Sequence, residues 1–194
     1  MNNQPAPLQL LGIQVGAVQP LKVGDQRVMS GFRKHAARGP VAVSTLGLAG
    51  DEQADLTVHG GLAKAVYAYP VEHYAFWREH RKALGLSTDL PYGSFGENLT
   101  LGGVLEASLH VGDELRFPDC VLRVTQPRGP CYKLNAAMDD STAVRTMARS
   151  GVSGFYLAVD VPGSLTAGQA FEVVAGPRET PLMTLFKSIR AKVG

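Results

Sequence analysis

Cys120-Val121-Leu122-Arg123-Val124-Thr125-Gln126, running on into Pro127-Arg128-Gly129-Pro130-Cys131-Tyr132-Lys133-Leu134, is the stretch on which the fold of this 194-residue chain turns. In its first half Val121, Arg123 and Thr125 alternate with Leu122 and Val124, the two-residue period of a strand with one buried face. Outward from it, segments of strand character recur at residues 9–18, 40–46, 64–69, 97–100, 114–117, 154–161 and 170–174. Gly112-Asp113, Pro118-Asp119 and Pro162-Gly163 punctuate them with turn-forming pairs. Many short strands divided by such turns predict a mainly β (α+β) fold, a sheet closed or folded over into a barrel.

A few helices interrupt the strands. Residues 70–84 start with Pro70 at a first helical position and stop at Gly85; Val71, Tyr74, Ala75 and Leu84 are expected inward, Glu72, Glu79, Arg81 and Lys82 outward. Residues 139–149 end at Gly151 and carry Val144, Met147 and Ala148 on one side. A last helix over 181–193, capped by Thr180, sets Leu182, Leu185, Phe186, Ile189 and Val193 at helical spacing. The expected organisation is a flexible tail over 1–8, one domain over 9–176 and a short C-terminal helix over 177–194, divided at Gly176-Pro177.

Composition narrows the function. A hydrophobic fraction of 45% with 19% charged residues describes a globular protein. Nineteen basic against 17 acidic residues, a net charge of +2, argue against a general nucleic-acid or membrane-surface binder. Two cysteines, Cys120 and Cys131, cannot make a disulfide framework. No basic start precedes the apolar residues 8–18, and no run of about 20 apolar residues is present. The expectation is a soluble cytoplasmic protein.

There is no phosphate loop, no nucleophile elbow and no zinc-like spacing among the five histidines. His73 and His80, seven apart beside Glu72 and Glu79, read as a solvated helix face. Cys131 sits on a rigid Pro-Gly-Pro loop between Arg128 and Lys133. Nearby cations favour its thiolate, the form that attacks electrophiles or binds a soft metal. The alternative is a small buried hydrophobe on a turn. Cys120, inside an alternating strand, reads as core.

Three further clusters remain open. His59-Gly60-Gly61 with Lys64 is either a backbone cradle for an anion or a polar turn. Asn98, in the glycine-flanked loop 93–100, either reads a heterocycle or closes a turn. Arg33, Lys34, His35 and Arg38 are either a solvated loop or a phosphate clamp.

Taken in order, Ser30-Gly31-Phe32-Arg33-Lys34, Gly50-Asp51-Glu52-Gln53-Ala54-Asp55, Val58-His59-Gly60-Gly61 with Lys64, residues 93–100, Val111-Gly112-Asp113 and residues 126–134 resemble the MOSC domain, and within it the YiiM-like, hydroxylaminopurine-resistance branch. The resemblance covers residues 10 to 176 and implies a β-barrel that binds the molybdenum cofactor, a pterin dithiolene with a phosphate. It implies Cys131 as molybdenum ligand, Lys34, Arg128 and Lys133 as basic pocket residues, and His59 and Asn98 as lining residues. Gly60, Gly61 and Lys64 join them as cofactor contacts, and His59 is the candidate proton donor. The implied activity is reduction of small N-hydroxylated compounds with electrons from a separate redox protein; the alternative is a cofactor carrier or sulfur-transfer module. Pyridoxal phosphate, used by sulfurases fused to this domain, is not expected. Relatives of this branch carry a longer helical extension; here one helix stands in its place, and self-association as a homodimer through its apolar face is an expectation.

Overall fold

The structure, a computed structural model, describes residues 7–54 and 60–193. Its strands are β1 (Gln9–Val15), β2 (Gln19–Val23), β3 (Gln26–Ser30), β4 (His35–Ala36), β5 (Val41–Ser44), β6 (Gly47–Leu48), β7 (Val66–Pro70), β8 (Leu99–Gly102), β9 (Glu114–Arg116), β10 (Val121–Pro127), β11 (Phe155–Val161), β12 (Gly163–Leu165) and β13 (Glu172–Val174). The helices are α1 (His73–Ala83), α2 (Lys133–Met138), α3 (Ala143–Ser150) and α4 (Leu182–Val193). All eight strand segments expected from sequence are present, as are the three helices. The hairpin β2–β3, the short strands β4, β6 and β12, and helix α2 are additions.

Eight strands form one sheet in the order β13-β9-β10-β11-β7-β8-β1-β4. Every neighbouring pair is antiparallel except β7 and β8, whose parallel pairing requires the crossover that α1 supplies. The expected closed barrel is not found among the described residues. The outer edge of β1 is shared: its start bonds to the chain at 168–171 through Leu10 and Gly168, and its end pairs with β4. With β13 only three residues long, no ladder runs continuously from β13 to β1, so the sheet curls without sealing.

The strands alternate as expected for a half-buried sheet. In β10, Leu122 and Val124 are buried while Arg123 and Thr125 are not. They join Leu10, Ile13, Val66, Leu99, Leu101, Leu115, Phe155 and Leu157 in the main core. A second, aromatic core under α1 gathers Tyr67, Tyr69, Tyr74, Trp77 and Phe95 with Leu134, Met138 and Met147.

Several expectations need correction. Helix α1 buries Tyr74, Trp77 and Arg81, whereas Ala75 and Leu84 are exposed. Arg81 goes inward because its guanidinium caps the carbonyls of Ser87 and Met138. His73 and His80 do not lie on a solvated face: Nε2 of His73 is 2.8 Å from Glu106 and Nε2 of His80 is 2.8 Å from Asp140, both carboxylates being buried. Of the tail expected over 1–8, residues 1–6 lie outside the described residues, and Leu8 packs on the core and accepts a hydrogen bond from Phe171. Of the apolar residues of α4, Leu182 and Phe186 are buried against its own domain, while Leu185 is 36% exposed. Asp113 ties the chain just before α4, accepting from the Gly176 amide at 2.9 Å and from Arg178 at 3.2 Å.

Candidate functional site

The chain leaves the sheet at Pro127, where β10 ends, and re-enters secondary structure at Lys133, where α2 begins. The loop between is anchored by the Arg128 amide, which donates to the Gly154 carbonyl at 3.1 Å, just ahead of β11. Gly154 has φ +69, and a Cβ there would come within 2.4 Å of the Ala68 carbonyl, so this close approach requires glycine.

Arg128 is 4% exposed, and its guanidinium lies over the Tyr67 ring at 5.0 Å and the Phe32 ring at 5.8 Å from the centroids. Tyr67 and Tyr156 are cross-strand partners on β7 and β11, with ring centroids 5.5 Å apart. Arg128 works against the upward push that burial gives the Tyr156 phenol. Burial alone would lower the guanidinium's pKa, but Tyr67, Tyr156 and Cys131 act against it, and the net shift is upward. A buried charge needs a partner. Among the described residues no carboxylate forms an ion pair with Arg128; the groups that sustain its charge are phenols and the Cys131 sulfur.

A second wall is built around Asp51. Its Oδ1 accepts from the Gly16 amide at 3.0 Å and from the Lys34 ammonium, and its Oδ2 accepts from Asn98 Nδ2 at 2.8 Å. The Lys34 and Asp51 side chains are 6% and 5% exposed. Arg33, His35 and Arg38 of the same basic run are exposed, so only Lys34 turns inward. Burial lowers the Lys34 pKa, opposed by Asp51 and, more weakly, by Glu97. Asn98 is fully engaged by the protein: Nδ2 also donates to the Gln14 carbonyl at 3.2 Å, and Oδ1 accepts from the Tyr67 amide at 3.0 Å. Glu97, buried beside it, accepts from the Gly93 and Phe95 amides and from the Tyr74 hydroxyl, which holds the loop 93–97 in shape.

These walls border one open-mouthed cavity, about 630 Å³ when the solvent at its mouth is counted. Lys34, Gly60, Lys64, Asn98, Arg128, Cys131 and Lys133 all line it, brought together from distant parts of the chain. Gly61 is not a lining residue; with φ +79 it starts the single 3-10 turn 62–64 that carries Lys64. His59 lies outside the described residues. Lys64 Nζ stands 6.0 Å from the Tyr156 ring centre, and Lys133 Nζ donates to the Met29 carbonyl at 2.9 Å. Among the described residues, four cationic side chains and two carboxylates, Asp51 and Glu52, line the cavity, and Asp51 pairs with Lys34. Cys131 is partly exposed; Cys120, 1% exposed, has its thiol pushed up to about 11 by burial and by Asp119.

Asp51, Tyr67 and Tyr156 are lining residues that sequence reasoning did not single out. Asp51 had a signal, standing in the polar run after Gly50. The two tyrosines had none, because their pairing joins residues 89 apart in sequence only through the β7–β11 ladder. Val111-Gly112-Asp113 is not among the lining residues; Asp113 secures the C-terminal segment instead.

A curled, mainly β domain with one cysteine and a surplus of cations in a single cavity defines a class, and the chain belongs to it: its residues 55–172 match the MOSC domain family. Within that family it is YiiM-like. It is 38% identical over 164 residues to Protein YiiM of Escherichia coli, spanning 84% of this chain and 70% of that one. A protein of Gibberella moniliformis named Reductase is 31% identical over 174 residues, which are 89% of this chain but 30% of that much longer one. The crystal structure of YiiM from Geobacillus stearothermophilus superposes with a TM-score of 0.75 at 28% identity, covering 96% of this chain and 85% of that one. No helix among the described residues is long and apolar enough to cross a membrane.

Proposed function

We propose that this chain is an oxidoreductase that holds the molybdenum cofactor in the Cys131 cavity and reduces small N-hydroxylated molecules, base analogues such as hydroxylaminopurine among them. The observation that carries this reading is one cavity that joins a cysteine thiol to a buried guanidinium and three lysines. The donor set fits the cofactor. A pterin phosphate needs fixed positive charge, and Arg128 is a buried cation that forms no ion pair with a carboxylate among the described residues. A single soft thiolate suits one metal–sulfur bond within a larger cofactor.

In this reading Cys131 holds the molybdenum, and Arg128, Lys64 and Lys133 hold the anionic pterin. When bound, the cofactor supplies the two-electron redox chemistry that no side chain here could provide. The chain's own residues prepare the site. Arg128 favours the thiolate of Cys131 through its charge. Tyr67, Tyr156 and Phe32 shield the guanidinium from water, so that its field acts on the cavity at low local dielectric. Asn98 and Asp51 keep Lys34 in the opposite wall. Electrons come from a separate redox protein, and the setting is the cytoplasm, with neither nucleic acid nor membrane as partner. The relative named Reductase supports redox chemistry in this family.

The test is molybdenum per chain by elemental analysis, in wild type and Cys131→Ser purified from cells that make the cofactor. Turnover of 6-hydroxylaminopurine with reduced methyl viologen is then measured. Near-stoichiometric metal and turnover in the wild type, both lost in the variant, are expected. Equal metal in both proteins would overturn Cys131 as ligand. Metal without turnover would favour the carrier alternative.

A further inference from the structure

Lys34 combines two properties that rarely coincide in a structural ion pair. Its side chain is 6% exposed, yet among the described residues its one hydrogen-bond partner is Asp51. An ammonium has three N–H donors, so two remain for whatever occupies the cavity that Lys34 lines. Asp51 cannot swing away to follow a ligand, because Gly16 and Asn98 already hold both its oxygens. Asn98 is itself fixed by Tyr67 and Gln14. The ammonium is therefore delivered to the cavity wall by a rigid bracket.

We propose that Lys34 is the proton donor to the leaving hydroxyl of the N-hydroxylated substrate, with Asp51 and Asn98 as its positioning residues. This rests on the reductase reading above. The step balances as follows. The N–O bond breaks; its oxygen takes the Lys34 proton and leaves as water. The nitrogen takes a second proton from solvent, and two electrons come from a one-electron-donating redox protein or, in the assay, a reduced viologen. Lys34 regains its proton from water.

Burial lowers the Lys34 pKa, while Asp51, then Glu97, raise it again. Arg128, Lys64, Lys133 and Cys131 line the same cavity. A lysine whose pKa burial lowers gives up its proton more readily than an exposed one. Because the protonated form is the active one, turnover is present at low pH and falls as pH rises through the Lys34 pKa.

The test compares wild type with Lys34→Arg, which keeps the charge but not a donatable proton. Molybdenum content, turnover of 6-hydroxylaminopurine by reduced methyl viologen across pH, and an NMR titration of ¹³Cε-labelled lysines are measured. The resonance missing in Lys34→Arg identifies Lys34. The expected result is unchanged molybdenum in Lys34→Arg with kcat lower by about 10²–10⁴-fold. In the wild type, the Lys34 resonance titrates below the other lysines and tracks the alkaline fall in rate; Asp51→Asn moves it lower still. Lys34→Arg turnover within threefold of wild type, or a Lys34 that titrates with the rest, would overturn the assignment. Wild-type protein that carries molybdenum and yet turns nothing over overturns the reductase reading itself, whatever Lys34 does.

Discussion

Replacing Asn98 with alanine removes a bracket, and its cost can be worked from three hydrogen bonds. Oδ1 accepts from the Tyr67 amide at 3.0 Å, and Nδ2 donates to the Gln14 carbonyl at 3.2 Å and to Asp51 at 2.8 Å. Losing the first leaves a buried N–H without an acceptor, which costs about 1–3 kcal/mol, and losing the last removes a charge-assisted bond of about 1.5–3 kcal/mol. A loss of about 3 kcal/mol is the conservative sum, and for a domain of this size it lowers Tm by about 6–12 °C. Urea denaturation and thermal melts of the cofactor-free protein measure it without any ligand. Asn98→Asp is the informative partner: it keeps the acceptor for Tyr67 but sets a carboxylate against Asp51. Its folded-state pKa is raised, so its deficit grows as pH rises from the ordinary aspartate range through that raised value. If Asn98→Ala costs under about 1 kcal/mol while cofactor loading is abolished, the reasoning fails. Asn98 is then a ligand reader and not a bracket.

Three other outcomes follow from the same geometry. Under a limiting thiol reagent, mass spectrometry should find Cys131 labelled first, with Cys120 reacting only on unfolding because it is 1% exposed and its thiol is pushed up to about 11; equal rates would contradict this. Although burial opposes it, the Thr142 hydroxyl and amide and then His80 hold Asp140 below the usual aspartate range. Its contribution is thus complete above the ordinary aspartate pKa and lost as pH falls through the depressed one, and Asp140→Asn should flatten that part of the stability–pH curve. Gly31→Ala puts a Cβ 2.2 Å from the Glu52 carbonyl, so it should push residues 51–53 outward and raise the Lys34 exposure read by lysine NMR, and an unchanged spectrum would argue against it.

The legible part of the fold was the part with one wet and one dry face. Strands such as β10 and β11 show their period because Leu122, Val124, Phe155 and Leu157 are buried at alternate positions. The hairpin β2–β3 was invisible because Pro20, Lys22, Gln26 and Arg27 leave it mostly exposed on both faces. Helix α2 is six residues long, too short for a helical period to register beside the two prolines of its loop. The expected barrel was an inference from strand count, and count says nothing about how long the closing ladder is. In the site, residue types near Cys131 pointed to a cationic cavity, and Arg128, Cys131 and Lys133 do line one cavity together. What sequence could not weigh was the use each polar group had already found: the Asn98 amide is committed to the protein, and His73 and His80 each have a buried carboxylate.

The cavity draws its walls from residues 30–34, 51–54, 60–67, 96–98, 128–133 and 156. No two of those stretches make a wall by local contact alone; each waits for ladders that join chain segments far apart. Closing such long loops is slow and comes late, since the entropy is lost before the contacts reward it. The newly made chain therefore passes through a stage in which its sheet is forming while Arg128 has no Tyr67 and Lys34 no Asp51. The cavity is thus among the last parts of the molecule to be completed, after the sheet that supports it.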